Sequence, residues 1–264
     1  MVTVNDILTY LNTLAPASMK MDWDNVGLLC GSRNQQVKKI LVALDPFESV
    51  CKEAAAIGAD LIITHHPLIF KAPTTITDDT SLGRSILFLA QHGISAINAH
   101  TNLDCAPGGV NVVLAQTLGL NNIEVIAPNG ITENGEPWGL LRQGTIDPQP
   151  LEDFLPYVKS ALGSQGLRYV STGTPVHKVA VGGGACAGEM HLAIKAGCDT
   201  FITSDVRYNQ FWDAQEQGLN LIDAGHFHTE NPICPVLQEK LQGTFPQIQV
   251  VLSQIHTDCA KFFV

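Results

Sequence analysis

An internal repeat constrains the fold of this chain more than any other feature of its sequence. Residues 39–67 and 178–206 align without a gap, and each copy begins with a run of β-branched apolar residues. A helical stretch rich in Ala follows, with Gly58 or Gly197 near its end, and then a second apolar run that stops at polar residues. Continuously apolar strands joined through a helix are typical of parallel strands buried on both faces. We therefore expect an α/β fold with two similar α/β lobes from an internal duplication, whose mostly parallel sheets are flanked by helices.

The positions of the two copies predict how the chain divides. We expect a single domain, with lobe one at 1–128 and lobe two at 129–264, because a further helix and strand follow each copy. The region between the copies, 121–176, reads as strand, helix and strand. Loops rich in Asn, Gly and Pro separate that region from the first lobe.

Composition excludes several classes of protein. No window of the sequence approaches 18 uninterrupted apolar residues, and the N-terminus lacks the basic-then-apolar order of a signal peptide. The net charge of −10 does not favour nucleic-acid binding, which usually needs a basic surface. The seven cysteines form no CxxC pair, so we expect buried, reduced thiols. These features predict a soluble cytoplasmic protein with no membrane partner.

Polar residues gather after four of the predicted strands. In parallel α/β folds, functional residues lie where strands end at their carboxyl edge. The clusters, in chain order, contain His65 and His66; His100 and Asp104; Ser204 and Asp205; and His226 and Glu230.

Each cluster also has a simpler interpretation. Adjacent histidines on a regular strand point to opposite faces, so His65 and His66 reach one site only if the strand has ended, which Pro67 favours. Otherwise one is a core histidine and the other a surface histidine. Asp104 taken alone is compatible with a turn or cap residue.

His226 and Glu230 are four residues apart and would share a face on a helix. Pro232, however, predicts a helix that begins near Thr229 with the proline in its first turn. We therefore expect His226 in the preceding loop and Glu230 near the helix N-terminus. The alternative for this pair is a role in capping that helix.

Taken together, the clusters predict a metal centre. Zn, Fe, Mn, Ni or Co suit a set of three imidazoles (His65, His66 and His226) and two carboxylates (Asp104 and Glu230) better than Ca or Mg do. These five ligands exceed the four of one tetrahedral ion, whereas two ions that share the carboxylates and water could use them all. Two divalent ions would leave a net positive charge, able to hold an anionic or phosphorylated ligand.

Six motifs resemble the signatures of the Nif-three-like dinuclear metal-centre family, whose members are called GTP cyclohydrolase type-two homologs. The resemblance covers essentially the whole chain. The motifs are WDNVGLLCG at 23–31, THHPLIF at 64–70, HTNLD at 100–104, GGGA at 182–185, ITSDVRY at 202–208 and GHFHTE at 225–230.

The resemblance implies a ligand set and an assembly. Its metal positions match His65, His66, Asp104, His226 and Glu230, which would hold two divalent transition-metal ions per chain. His100 and Asp205 would lie beside the metals and are the candidates for proton transfer. By the same resemblance, the chain would assemble into a ring-shaped homohexamer. Longer members carry an inserted central domain, which the short region at 121–176 does not accommodate.

Two functions follow as hypotheses. We expect a metal-dependent hydrolase of a small anionic substrate such as a nucleotide or phosphate ester, with a bridging water as nucleophile; a GTP cyclohydrolase activity is one form of this. The alternative is a non-enzymatic metal-binding scaffold, metal-delivery factor or regulatory protein. The family often has a His shortly after Gly-Asp, where this chain has Ser204-Asp205 and then Asn209. Gly182, Gly183 and Gly184 are compatible with a phosphate nest or with tight packing.

Overall fold

The computed structural model describes residues 1–263 of the 264-residue chain. Short 3-10 turns lie at Ala17–Met19 and Cys186–Glu189. The α-helices, in chain order, are α1 (Val4–Leu14), α2 (Glu48–Ala56), α3 (Ser81–His92), α4 (Thr101–Cys105), α5 (Val110–Thr117), α6 (Leu151–Leu162), α7 (Met190–Lys195), α8 (Tyr208–Glu216), α9 (His226–Glu230) and α10 (Ile233–Thr244).

The strands alternate with these helices over much of the chain. In chain order they are β1 (Gly27–Cys30), β2 (Lys39–Ala43), β3 (Leu61–Thr64), β4 (Ser95–Asn98), β5 (Asn121–Ile126), β6 (Gly130–Ile131), β7 (Pro137–Trp138), β8 (Leu141–Gln149), β9 (Arg168–Val170), β10 (Val176–Val181), β11 (Thr200–Thr203), β12 (Asn220–Asp223) and β13 (Gln249–Leu252).

The chain forms two compact units. The first unit contains residues up to Leu103 together with Cys234–Thr257. Its sheet has the strand order β1-β4-β3-β2-β13, in which β4, β3, β2 and β13 run parallel and β1 is antiparallel. All four residues of β3 are buried, as expected for a parallel strand covered on both faces. Helices α2 and α3 pack on one face through Val50, Ala54 and Leu89.

The second unit contains Asp104–Ile233 and the segment that starts at Asp258. Its sheet has the order β5-β8-β10-β11-β12-β9; β10, β11 and β12 are parallel, and the flanking strands are antiparallel. Alternate residues of the parallel strands enter different cores, because successive side chains of a strand point to opposite faces. Ile202 packs with residues of α5 and α6, whereas Phe201 packs with residues of α7 and α8.

Helix α6 shows how local sequence produces these layers. Its buried residues Leu151, Phe154, Val158 and Leu162 recur at helical spacing, so they form one apolar stripe that faces the sheet. The helix ends at Gly163, whose φ of +63° is in the left-handed region that terminates many helices.

The two copies of the repeat have the same strand–helix–strand form. In the first copy Ile40 pairs with Leu61 across parallel strands, and in the second Val179 pairs with Thr200, which are the residues aligned with them. The predicted α/β class is confirmed. The duplication as the origin of this likeness stays a prediction.

The two units differ in extent from the predicted lobes at 1–128 and 129–264. Helix α5 and strand β5 belong to the second unit, because β5 pairs with β8 there. The chain after Cys234 returns to the first unit, where β13 pairs with β2. Sequence reasoning missed this exchange because it assumed that each lobe is continuous.

None of the helices formed by residues 1–263 is long and apolar enough to cross a membrane.

The cysteines provide a test of the packing. Cys259 is exposed, and burial raises the pKa of the Cys51 and Cys198 thiols to about 11. Because the thiolate is the reactive form, we expect Ellman's reagent at pH 8 to modify Cys259 in a fast phase and the buried thiols much more slowly. Cys259→Ser should remove the fast phase, and all thiols should react in guanidinium. A fast phase that persists in Cys259→Ser would contradict this packing.

Candidate metal centre

The first unit brings three histidines together. Strand β3 ends at Thr64, and the backbone bends at His65 and His66, where Thr64 Oγ1 donates to the His66 carbonyl oxygen at 2.7 Å. The rings of His65 and His66 are consequently 5.0 Å apart, and that of His100 lies 5.1 and 5.5 Å from them. Each offers a nitrogen within 4.8 Å of the others'. We call these three residues the histidine cluster.

The rings of His65 and His66 are held through Nδ1. His65 Nδ1 lies 2.9 Å from the carbonyl oxygen of Ala99, and His66 Nδ1 lies 2.7 Å from Asp45 Oδ1. Since the acceptors are oxygens, Nδ1 carries the proton in both rings. Nε2 is then the nitrogen that would coordinate an ion, which is the usual arrangement of metal-binding histidines.

Asp45 also binds a second histidine. Its Oδ2 lies 2.9 Å from His256 Nε2. Burial raises the pKa of the Asp45 carboxyl, but the hydrogen bonds from His256 and His66 outweigh it and hold the pKa below its usual range. Asp45 is therefore a carboxylate at neutral pH.

His100 is held in the same way by Asp24. The distance from His100 Nδ1 to Asp24 Oδ1 is 2.8 Å, and the Thr101 N–H donates to Asp24 Oδ2 at 3.0 Å. Burial raises the pKa of the Asp24 carboxyl, but the bonds from His100 and Thr101 lower it further than burial raises it. In the first unit, two carboxylates thus hold three imidazoles: Asp45 holds those of His66 and His256, and Asp24 holds that of His100.

The second unit groups Asp104, Asp205, His226 and Glu230, which we call the acidic cluster. Oxygens of Asp104 and Glu230 lie within 4.8 Å of each other, and both residues are buried. His226 Nε2 lies 3.1 Å from Glu230 Oε2.

The prediction that His226 precedes the helix is wrong. His226 is the first residue of α9, and Glu230 is its last, so the two share a face at i and i+4. Pro232 follows α9 instead of lying in its first turn, because the helix begins directly after Gly225.

Asp205 orients His226. Its Oδ2 lies 2.8 Å from His226 Nδ1. The Asp205 backbone has a φ of +52°, a left-handed conformation that costs free energy in a residue other than glycine and that occurs more often at functional sites. In the described structure Asp205 acts on His226, and its predicted part in proton transfer stays a prediction.

The glycine stretch packs against Glu230. A Cβ atom on Gly184 would lie 2.0 Å from Glu230 Oε1 and 3.1 Å from His226 Nε2. The N–H groups of Gly182, Gly183 and Gly184 donate to Ile202 O, Asn111 Oδ1 and Thr229 Oγ1 at 3.0, 2.6 and 3.0 Å. These bonds favour tight packing over the phosphate nest.

Arg142 fixes the chain just after Asp104. Its buried guanidinium donates to the carbonyl oxygens of Cys105 and Ala106 at 3.0 and 3.1 Å and also to that of Leu141. Burial lowers the pKa of Arg142 to about 10, so it stays charged at neutral pH. This cation therefore holds the C-terminal end of α4, the helix that carries Asp104.

Sequence reasoning missed Asp24 and Asp45, which hold imidazoles of the histidine cluster, and His256, which is bonded to Asp45. Asp45 lies just beyond the end of β2, so the rule applied to the other strand ends would have identified it. Asp24 belongs to the motif at 23–31, but only the folded loop brings it to His100. No pattern in the sequence indicates the contact of His256.

Comparison with protein families matches residues 2–259 to Duf34/NIF3 (NGG1p interacting factor 3). The chain belongs to the DUF34/NIF3 family. This confirms the resemblance that the six sequence motifs indicated.

Similar DUF34/NIF3 proteins match over almost their whole length. A Clostridium perfringens protein named GTP cyclohydrolase 1 type 2 homolog is 39% identical over 261 residues, covering 98% of this chain and 99% of that protein. A Staphylococcus aureus hypothetical protein of known structure has a TM-score of 0.92 at 31% identity and covers 99% of each chain. A Bacillus cereus protein related to NIF3 has a TM-score of 0.91 at 27% identity, covering 100% of this chain and 99% of that one. The fold is that of the family.

The packing of Gly184 generates a prediction for the acidic cluster. Gly184→Ala should displace Glu230 and weaken zinc binding by about 10-fold or more, as loss of groups that position metal ligands commonly does. Gly197→Ala is the matched control, because its φ of +73° is strained by a side chain as the +62° of Gly184 is, but nothing lies within 4 Å of a Cβ there. Competition with a zinc chelator measures the affinity, and thermal melting shows whether each variant is folded. Unchanged zinc affinity in a folded Gly184→Ala protein would contradict the role assigned to Gly184.

Proposed function

We propose that this protein binds two divalent transition-metal ions and uses them to hydrolyse a small anionic substrate such as a nucleotide or phosphate ester. The proposed ligands are His65, His66, Asp104, His226 and Glu230.

One observation carries the proposal: the imidazoles of both clusters are held through Nδ1. His65 and His66 are bound by a carbonyl oxygen and by Asp45, and His226 by Asp205. A histidine held in this way has a fixed tautomer and a fixed ring plane, with Nε2 as the coordinating atom. Such an arrangement in three rings supports metal coordination.

The two buried carboxylates of the acidic cluster also fit a cation. Asp104 and Glu230 have oxygens within 4.8 Å of each other and are both more than nine-tenths buried. Two carboxylates that are both ionised at this distance would repel, and a cation between them would relieve the repulsion. Nitrogen and oxygen ligands together suit Zn, Fe, Mn, Ni or Co.

We further propose that the histidine cluster and the acidic cluster ligate the same pair of ions. The histidine cluster supplies two of the proposed ligands, His65 and His66, which are fewer than the four of a tetrahedral ion. His100 directly precedes helix α4, and Asp104 lies on that helix, so one short segment carries residues of both clusters.

A bound pair of metal ions would supply a Lewis acid and an activated water nucleophile. His100 is the better placed of the two predicted proton carriers. Its Nδ1–H is held by ionised Asp24, which would stabilise the imidazolium formed when Nε2 accepts a proton. Asp205 is engaged with His226 and would mainly position that ligand.

The names of relatives direct the choice of substrates. Proteins similar to this chain are named GTP cyclohydrolase 1 type 2 homolog, which supports guanine nucleotides as the first compounds to assay. We also propose the homohexamer that the family resemblance implies.

Metal analysis tests the proposed function. We expect about two transition-metal equivalents per chain after purification without chelators, measured by inductively coupled plasma mass spectrometry. His65→Ala and Glu230→Ala should each lose metal, because each removes a ligand from the centre. His191→Ala and Glu216→Ala, at exposed positions, are the matched controls.

Turnover should follow metal content. Release of phosphate or of a ring-opened nucleotide should require the metal and should fail in the two ligand variants. Less than one equivalent after reconstitution with zinc, iron or manganese would contradict the metal centre. Full metal content without turnover on any nucleotide or phosphate ester would contradict the hydrolase.

A further inference from the structure

Two aromatic side chains of the first unit are exposed side by side. Trp23 has 61% of its surface exposed and Phe70 has 47%. Their ring centroids are 5.7 Å apart, at an interplanar angle of 59°. We call Trp23 and Phe70 the aromatic pair.

The aromatic pair adjoins the histidine cluster. The ring centroid of Trp23 is 6.1 Å from that of His100, and the centroid of Phe70 is 6.3 Å from it. His100 in turn contacts His65 and His66. His100 thus contacts the aromatic pair as well as the two proposed metal ligands.

Hydrogen bonds hold the backbone that carries Trp23. Lys20 Nζ donates to the carbonyl oxygens of Met21 and Asp24, and the Met21 N–H donates to Thr101 Oγ1 at 2.9 Å. Asn25 Nδ2 donates to the carbonyl oxygen of Ile69 at 2.7 Å.

That last bond ties the loop of Trp23 to the segment that carries Phe70. The backbone segments that carry the two rings are therefore held next to one another and to the segment of His100, and both rings are open to water.

Exposed aromatic rings on a backbone held by hydrogen bonds are suited to stacking. An aromatic side chain loses little conformational freedom on binding and buries a large apolar area. Any planar base can stack on such a ring, because every base has a π-face. Two rings present too small a surface to hold a stable protein partner on their own, but they match a single planar heterocycle.

We propose that Trp23 and Phe70 form a stacking platform for a planar heteroaromatic ring of the substrate. The anionic end of the same substrate then reaches the histidine cluster, of which His100 is the member next to the aromatic pair. This inference rests on the proposed function and narrows its substrate class to phosphorylated compounds that carry a heterocyclic base.

The test compares two probes that differ by the base. Zinc-loaded full-length protein is titrated calorimetrically with guanosine monophosphate and with ribose 5-phosphate, which lacks the base. Stacking of one base should make the nucleotide bind about 5- to 140-fold more tightly. Trp23→Leu and Phe70→Leu together should remove that advantage and leave binding of ribose 5-phosphate unchanged.

Trp212→Leu is the matched control, because Trp212 is an exposed tryptophan on α8 in the second unit. It should keep the full advantage of the nucleotide. Sedimentation of each variant shows whether the substitutions alter the assembly.

The outcomes separate the two ideas. Equal affinity of the wild-type protein for both probes, or an advantage that survives the double substitution, overturns the platform while leaving the metal centre intact. A change in the oligomeric state of the double variant, with nucleotide affinity unchanged, overturns it in favour of a contact with a second copy of the chain. Protein that takes up no zinc contradicts the proposed function and with it this inference.

Discussion

The candidate centre depends on the hydrogen bond that the Nδ1–H of each imidazole donates to an oxygen. Asp24, Asp45 and Asp205 each accept such a bond from a histidine, and a backbone carbonyl accepts the fourth, from His65. These acceptors fix the tautomer and the plane of each ring, so Nε2 is directed without further cost in side-chain entropy. The bonds from His66 and His256 also hold the pKa of Asp45 below its usual range, and an ionised acceptor would make His66 Nε2 a better ligand.

Close packing supports the acidic cluster in a different way. Glu230 is buried against Gly184, where any side chain would displace it, and Arg142 holds the chain beside Asp104 with bonds to backbone carbonyls. Neither residue would itself be a ligand. Both restrict where a carboxylate of the acidic cluster can lie.

The sequence predicted the parts of the site that depend on regular strands. Continuous apolar runs located β3, and a strand end before Pro67 correctly placed His65 and His66 on one side. The same rule gave His226 and Glu230 as neighbours, although it misplaced the start of their helix, since Pro232 lies beyond α9. Local patterns suffice where backbone geometry alone brings side chains together.

Local sequence patterns could not predict contacts between residues that only folding brings together. Asp24 is far from His100 in sequence, and only a loop held by hydrogen bonds joins them. Glycine is needed at position 184 because of its φ of +62° and because Glu230 lies against it, and the local sequence indicates neither. The C-terminal part of the chain returns to the first unit because β13 pairs with β2 there, and these strands are far apart in sequence.

We propose that histidines held through Nδ1 coordinate a pair of metal ions through Nε2. A crystal structure of the zinc-loaded protein, with anomalous diffraction data collected at the zinc edge, tests this coordination. We expect two anomalous peaks about 3.5–4 Å apart, bound by Nε2 of His65, His66 and His226 and by the carboxylates of Asp104 and Glu230. Coordination through Nδ1, or zinc bound only at other residues, would contradict it.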